Sequence, residues 1–539
     1  LSIIRLIGWP RIPIRSACIL WVCNLGILAA EAAPNQPPGP PGGEAGLSVQ
    51  PPSRFKNAPA AASRPATPAS TRVITSPEWW RIFREPALDT LEDQALRANQ
   101  DLAQSVSRIE EARQQEHDAA ADFFPHVDAN PSAQRLRTTN TGPILKAQLV
   151  GNASAFASLV GGGTTGTTTT TTTTKGSGTV PAFSSRELSA TYDDFRAPLS
   201  LSYELDVFGR IRHQYAGARA NFQAAEADQR AVRLSLAGEV ATDYFMLRAL
   251  DSQVAVLRRT LSLRQASVHL NQERLNAGVA GPLDVARARE VLDETQADLD
   301  EAIRERAEAE NVLAVLCGRV ASDFHLAPDP LEDVAPPAVP PGIPADLLVH
   351  RPDLAEAERR VDAANEEIGV ARARLLPTFS IQANAGFETA DQEHLFDAQS
   401  RAMSVLGAID IPIFEGGRNI AGLRAARARR DEAVAQYRGT ALTAFREVET
   451  ALSDVQQRIA QADARRRAIA DSNEVLELSQ RRYLEGAVNY FDVVDAQRSL
   501  LGSELSNVQT LDGRFTATIA LIRAIGGGWS QAGPVAPVK

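Results

Sequence analysis

One long pattern occurs twice in this chain, 208 residues apart, and a duplication on that scale restricts the architecture before any motif is considered. Gly209-Arg210 returns as Gly417-Arg418, Ala218-Arg219-Ala220 as Ala426-Arg427-Ala428, Glu239-Val240 as Glu447-Val448, Gly278 as Gly486 and Asp284 as Asp492. Each unit reads as a short strand pair followed by two very long helices. A heptad runs through the first long helix of both copies: Val254, Leu261, Val268 and Leu275 in one, Ala462, Ile469, Leu476 and Tyr483 in the other. The duplication predicts one intertwined body of two equivalent halves rather than a string of separate domains.

From Arg210 to Ala277 there is no proline, and at about 1.5 Å per residue one uninterrupted helix over that stretch is on the order of 100 Å long. It turns at Ala277-Gly278-Val279-Ala280-Gly281-Pro282, and the return helix carries Val285, Leu292 and Leu299. The second copy runs out from Arg418 to Glu485, turns at Gly486 and returns from about Phe491. Helices of this length with sustained heptads are coiled-coil seams. An aromatic content of only 6% suits them better than it suits a compact enzyme core.

Four short strands are expected. One covers about His126 to Leu136. Another interleaves Ala197, Leu199, Leu201, Tyr203, Leu205 and Val207 with mostly polar neighbours. A third alternates Phe379, Ile381, Ala383, Ala385 and Phe387, and the last alternates Met403, Val405, Gly407, Ile409, Ile411 and Ile413. Period-two alternation fits a half-buried soluble sheet or a membrane barrel with a wet lumen. Four strands cannot close a barrel, and an open edge is not tolerated in lipid. If these strands span a membrane, several chains must pool them: three chains supply twelve strands around water, two supply eight that side chains fill.

The first 32 residues place Arg5, Arg11 and Arg15 before the apolar run ACILWVCNLGIL and the small residues Ala30-Glu31-Ala32, the layout of a secretory signal. The apolar run is too short for a membrane-spanning helix. Cys18 and Cys23 lie inside that segment and neither sits in a good lipid-attachment context, which leaves Cys317 alone and no intramolecular disulfide. A net charge of −10, more negative still without the signal, argues against nucleic acid as a partner. Residues 33–72 are rich in Pro, Ala and Ser and read as a disordered leader. From Glu78 to about Ala121 the pattern is largely helical and ends at Pro125. An insert of roughly 139–190 contains GGGTTGTTTTTTTTKGSG and reads as a flexible surface loop. The expected organisation is signal 1–32, leader 33–72, first repeat 73–318, linker 319–350, second repeat 351–528 and tail 529–539.

Several segments carry a family resemblance. The most specific is LLVHRPDLAEAERRVDAANEEIGVARARLLPTFSI, with Arg351, Pro352 and Asp353, where Pro352 suits a first helical position and Asp353 the positive helix end. With SPEWWRIFREPALDTL, LDVFGRIR, PIFEGGR and the terminal AIGGGW in order, the chain from about Pro77 to Trp529 resembles the TolC-like outer-membrane efflux proteins that serve resistance-nodulation-division pumps. The resemblance implies a mainly α fold with a small membrane β-barrel: a homotrimer whose twelve-stranded barrel, in the outer membrane of a Gram-negative bacterium, continues into a periplasmic helical tunnel. It implies a passive conduit, not an enzyme, whose partners are the outer-membrane lipid, a periplasmic adaptor (membrane fusion) protein and an inner-membrane transporter. An exported coiled-coil surface or adhesin-like protein is the alternative reading.

No catalytic or metal constellation appears. The seven His, at 117, 126, 213, 269, 325, 350 and 394, show no metal-ligand spacing, Cys317 reads as a core residue, and Gly161-Gly162-Gly163 lacks the rest of a phosphate loop. No cofactor is expected. One polar pair stands out: Asp492 and Asp495 lie three apart at the start of the final helix, hence on nearly one face. Helix capping accounts for them in one reading. In the other, which follows from the resemblance, they line the narrowed periplasmic end of the tunnel, and Arg287, at the position equivalent to Asp495, pairs with it in a closed state. The residues of the hairpin tips, Ala277, Gly278, Val279, Ala280 and Gly281 in one copy and Glu485, Gly486, Ala487 and Val488 in the other, are the expected adaptor contact, because they are mostly small and lie farthest from the strands.

Overall fold

The structure, a computed structural model, describes residues 51, 55–57, 78–137, 191–331, 336–339 and 351–527, all within the unit Val49–Lys539. The expected signal segment, the Thr-rich insert, residues 332–335 and 340–350 of the linker, the tail, and nearly all of the leader lie outside the described residues. Helices dominate. After a 3₁₀ turn at Trp79–Phe83 come α1 (Pro86–Ala98) and α2 (Gln100–Ala121), then β1 (His126–Ala129), β2 (Ser132–Arg137) and β3 (Thr191–Leu205). The long helices α3 (Arg210–Asn276) and α4 (Pro282–Leu316) follow. The second half repeats the order with α5 (Pro352–Ala373), β4 (Thr378–Thr389), β5 (Arg401–Asp410), α6 (Arg418–Leu484) and α7 (Tyr490–Ala524).

The helices of the two halves agree in length. α3 and α6 have 67 residues each, α4 and α7 35 each, and α2 and α5 22 each. Glycines at matching positions set these limits. Gly209 and Gly417 precede the long helices at φ 80° and 85°, a conformation that costs an L side chain about 1–2 kcal/mol. Asp206 then accepts from the free amides of Ile211 and Arg212 at 3.1 and 3.0 Å, holding the strand-to-helix turn of the first half.

Two expected elements divide. The helix expected over Glu78–Ala121 is a 3₁₀ turn and two helices, because Pro86 favours a helix start and Asn99 caps a new one, its side chain accepting from Leu102 N at 3.0 Å. The first strand is interrupted at Asn130-Pro131, where proline cannot donate to the ladder, and both pieces pair with β3.

The sheet is antiparallel in the order β1/β2, β3, β4, β5, so β1/β2 and β5 are its edges. Its register sorts the side chains onto two faces. Rows such as Val127–Leu201–Ala383–Val405 and Leu205–Phe379–Ile409 are apolar, while Asp128–Ser200–Asn384–Ser404 is polar and His126–Ser202–Gln382 is polar until it reaches Leu406 on β5. The apolar face lies bare: Met403 is 74% exposed, Val405 71% and Ile409 61%. Among the described residues no helix is long and apolar enough to cross a membrane.

The main core forms where α1, α3, α4 and α7 converge. Trp79 and Trp80 are buried there, and Phe245 stacks on Phe515 with ring centroids 4.2 Å apart. Cys317 is buried in it, its thiol pushed up to about 11 by burial and by the nearby Glu92. A buried ionic cluster fastens the segment after α4: Arg248 donates to Ala327 O at 2.8 Å, Arg306 to Leu326 O at 2.8 Å, and both contact Asp251. Among the described residues of the leader, Phe55, Lys56 and Asn57 are held against α6 and α7. Phe55 is buried against Val448, Ala451, Leu452 and Leu521, and the Glu449 carboxylate accepts from the amides of Lys56 and Asn57 at 2.5 and 3.0 Å. These three residues fall within the segment expected to be a disordered leader, and they are held by the burial of one aromatic together with the Glu449 hydrogen bonds.

Candidate functional site

Both long hairpins reverse through the same hydrogen-bonded motif. Gly278 N donates to Leu275 O at 2.9 Å and Val279 N to Arg274 O at 2.9 Å; Gly486 N donates to Tyr483 O at 3.0 Å and Ala487 N to Arg482 O at 2.8 Å. This closes the last helical carbonyls and requires φ > 0 at the glycine, 76° in both copies. A Cβ on either glycine would meet nothing within 4 Å, so conformation rather than crowding calls for glycine. Ala277, Gly278, Val279, Glu485, Gly486 and Ala487 are exposed, with Ala280, Gly281 and Val488 partly so. The candidate contact surface is therefore open to solvent in the single chain.

The two tips differ after the turn. α4 begins with Gly281 and Pro282 and has no side-chain cap. α7 begins with a full capping box: the Asn489 side chain accepts from the backbone of Asp492, and the Asp492 carboxylate accepts from Asn489 N at 3.1 Å. Asp492 thus has a structural task whatever else it does. Asp492 and Asp495 are both exposed. Arg287 does not pair with Asp495 in the single chain; its guanidinium lies 5.2 Å from the centroid of the Phe491 ring.

Beneath the second tip sits an aromatic and polar cluster that sequence reading missed. Tyr483 and Tyr490 pack 5.3 Å apart against Ala288, Val291, Val493 and Val494. The Tyr483 hydroxyl donates to Asn271 Oδ1 at 2.7 Å and the Arg274 guanidinium lies over its ring at 4.7 Å. Burial raises the pKa of both phenols. Arg264, buried in α3, donates to Val291 O at 2.6 Å and to the Thr295 hydroxyl, tying α3 to α4. A groove of ≈ 690 Å³ runs alongside, lined by Arg264, Asn271, Tyr483, Tyr490 and Gln497 among others. A signal was present in the duplication: Tyr483 and Tyr490 stand where the first copy has Leu275 and Pro282.

Arg351, Pro352 and Asp353 lie elsewhere and hold the fold. Arg351 is buried. Its Nη1 donates to Ala524 O, at the end of α7, at 3.0 Å and to Glu447 of α6 at 2.8 Å, while Nε and Nη2 grip Asp353 at 3.0 and 2.6 Å. Pro352 opens α5 at its first turn. The motif clamps three helices, and Arg serves because its planar fork satisfies several acceptors at once. Among the described residues no group of His, Cys, Asp and Glu has the arrangement of a metal site.

A profile of the "Outer membrane efflux protein" family matches residues 91–319 and 343–527. The chain is 33% identical over 466 residues to the outer membrane protein OprJ of Pseudomonas aeruginosa, covering 85% of this chain and 88% of that one. It is 30% identical over 456 residues to the cation efflux system protein CusC of Escherichia coli, covering 84% and 88%. Among solved structures, the outer-membrane channel OprN matches with a TM-score of 0.72 at 28% identity over 86% of this chain and 96% of that one. A CusC structure matches with a TM-score of 0.70 at 29% identity over 89% and 99%. On the profile and these similarities, the chain belongs to the outer membrane efflux protein family.

Proposed function

We propose that the chain is the outer-membrane channel of a tripartite efflux pump: a passive, trimeric conduit that carries small molecules from an inner-membrane transporter, through a periplasmic adaptor, to the outside. The observation that carries this reading is the sheet. Its four-strand width leaves two open edges and one dry face, and such a sheet satisfies its backbone in lipid only if copies join edge to edge into a closed barrel. β3, β4 and β5 have 15, 12 and 10 residues, enough for the roughly 9–11 that a tilted strand needs to span a bilayer. Three copies supply twelve strands and a wet lumen, with the polar rows of the register facing inward.

In this reading the sequence divides into repeats at 73–318 and 351–528 joined by 319–350. The hairpin tips at Ala277–Gly281 and Glu485–Val488 receive the adaptor. Asp492 and Asp495 of three copies form a ring of carboxylates at the narrowed end. Transport needs no chemistry in this chain; energy enters at the transporter.

The reading is tested by the mass of the detergent-extracted complex. A trimer is expected. A stable folded monomer extracted from the outer membrane would contradict it.

A further inference from the structure

The duplication turns an internal seam into a template for a contact the single chain does not make. Within the chain α2 packs on α3, α3 on α5, and α5 on α6, while α7 also packs on α3. This leaves α2 at one end of the order and α6 at the other. α2 leads into β1 and β5 leads into α6, so each helical edge continues into a sheet edge. A shift of 252 residues places α5 on α2, and a shift of 208 places α3 on α6 and α7 on α4, each pair equal in length. The seam of α5 and α7 on α3 therefore predicts, residue by residue, a seam of α2 and α4 on α6 of a different copy.

Two positions in the observed seam are filled by a bulky residue over a glycine. His213 of α3 lies over Gly369 of α5, where any Cβ would fall inside the imidazole, and its Nδ1 is 2.6 Å from Glu366 Oε2. Arg523 of α7 lies over Gly238 of α3, again filling the place of a Cβ, and its Nη2 donates to Ser235 Oγ at 3.1 Å. At the first shifted position Ala421 replaces His213 and His117 replaces Gly369. At the second, Arg446 replaces Gly238 and Val315 replaces Arg523. In both, the bulk has crossed to the opposite helix, so large still faces small. All four residues are exposed in the single chain, Val315 by 68%. The same holds beside them: Ala220 and Ala227 of α3 are buried, and the equivalent Ala428 and Ala435 of α6 are exposed.

We infer that α6 is covered by α2 and α4 of a second copy of this chain, with the His117 imidazole seated on Ala421 and the Arg446 side chain alongside Val315. Close packing penalises both a void and a clash, so a trade of volume at two separate heights keeps each seam filled while making the two seams non-interchangeable. Mispairing would set His117 against His213, or Ala421 against Gly369 over an empty space. The exchange thus selects a head-to-tail ring in which internal and intersubunit seams alternate, the heterologous closure that a barrel needs. The inference rests on the channel reading and adds the residues that fix its register.

The test is cysteine cross-linking of the full chain in detergent. His117→Cys with Ala421→Cys, mildly oxidised, should give covalent dimers and trimers on a denaturing gel at the expense of monomer, reversed by reductant. Either single variant, or Ser107→Cys with Ala421→Cys two to three helical turns off register, should leave monomer. A complex that is trimeric by mass but fails to cross-link, or cross-links equally at the off-register pair, overturns the seam and leaves the channel reading standing. A monomeric mass overturns both. As a second arm, Ala421→His should lower the temperature at which the trimer dissociates, and adding His117→Gly, which copies the His213/Gly369 pair, should restore it. No restoration counts against the seam.

Discussion

The two hairpin tips share a backbone and differ in chemistry. Both close with a glycine at φ 76° and the same pair of hydrogen bonds. The first then restarts on Gly281 and Pro282 with no side-chain cap and carries Arg287. The second restarts on a capping box above two packed tyrosines and carries Asp495 at the matching position. Duplication preserved what the backbone requires, because a helix reversal accepts few conformations, and released the side chains to diverge. A threefold assembly of such a chain would have six reversals of one geometry, each with a carboxylate at the Asp284/Asp492 position, while arginine and aspartate would alternate at the Arg287/Asp495 position.

The largest effect should come from the shared part. Gly278→Trp strains the turn by about 1–2 kcal/mol, its Cβ meeting nothing within 4 Å, and it adds an indole to the exposed tip. Efflux measured in cells that lack other channels should be abolished while trimer mass is unchanged. Normal efflux would remove this tip from the adaptor contact.

A smaller effect separates the tips. Tyr483→Phe leaves Asn271 Oδ1 without its buried donor, at a cost of about 1–3 kcal/mol, visible as faster amide exchange in the last turns of α3 and α6. Leu275→Ala at the equivalent place removes only partly buried apolar surface and should speed exchange less. Equal changes would show that the tyrosine cluster adds nothing to the second tip.

Smaller again is the capping box. Asp492→Ala should loosen the start of α7 by about 1 kcal/mol, whereas Asp495→Ala, exposed and outside the box, should leave exchange there unchanged. If both loosen α7 alike, capping does not distinguish the two carboxylates.

The smallest effect lies away from the tips. Burial pushes the Asp512 carboxyl up to about 6, with Arg458 opposing, and its Oδ1 lacks a partner. A raised carboxyl favours the folded state below its unfolded pKa of 3.8, and that contribution is lost as pH rises towards 6. Asp512→Asn should therefore flatten the fall in melting temperature between about pH 4 and 6. An unaltered slope would assign the fall to other groups.

Much of this architecture is legible in the sequence because it is local or repeated. The long helices run from Arg210 and Arg418 with reversals at Gly278 and Gly486 because proline-free heptads and Schellman glycines act within a few residues. The strand faces follow from period two, although β3 begins earlier than its alternation suggests, at Thr191, and β5 ends at Asp410 before Pro412. What is not legible depends on distant partners. Arg351 reaches a carbonyl 173 residues away, Tyr483 an amide 212 away, and Phe55 a groove formed by helices near the other end of the chain. The candidate gate shows the same division: the Asp492 cap is a local signal, but the stacking of Arg287 on Phe491 required the two hairpins side by side.

Single-channel recording of the purified protein in a planar bilayer, beside the variant with Asp492 and Asp495 both replaced by Ala, tests most directly whether this chain builds a channel. Stepwise, cation-preferring currents are expected from the wild type, with larger steps or weaker divalent-cation block in the variant. Inserted protein that conducts no current in either form would contradict the claim that this chain builds a channel.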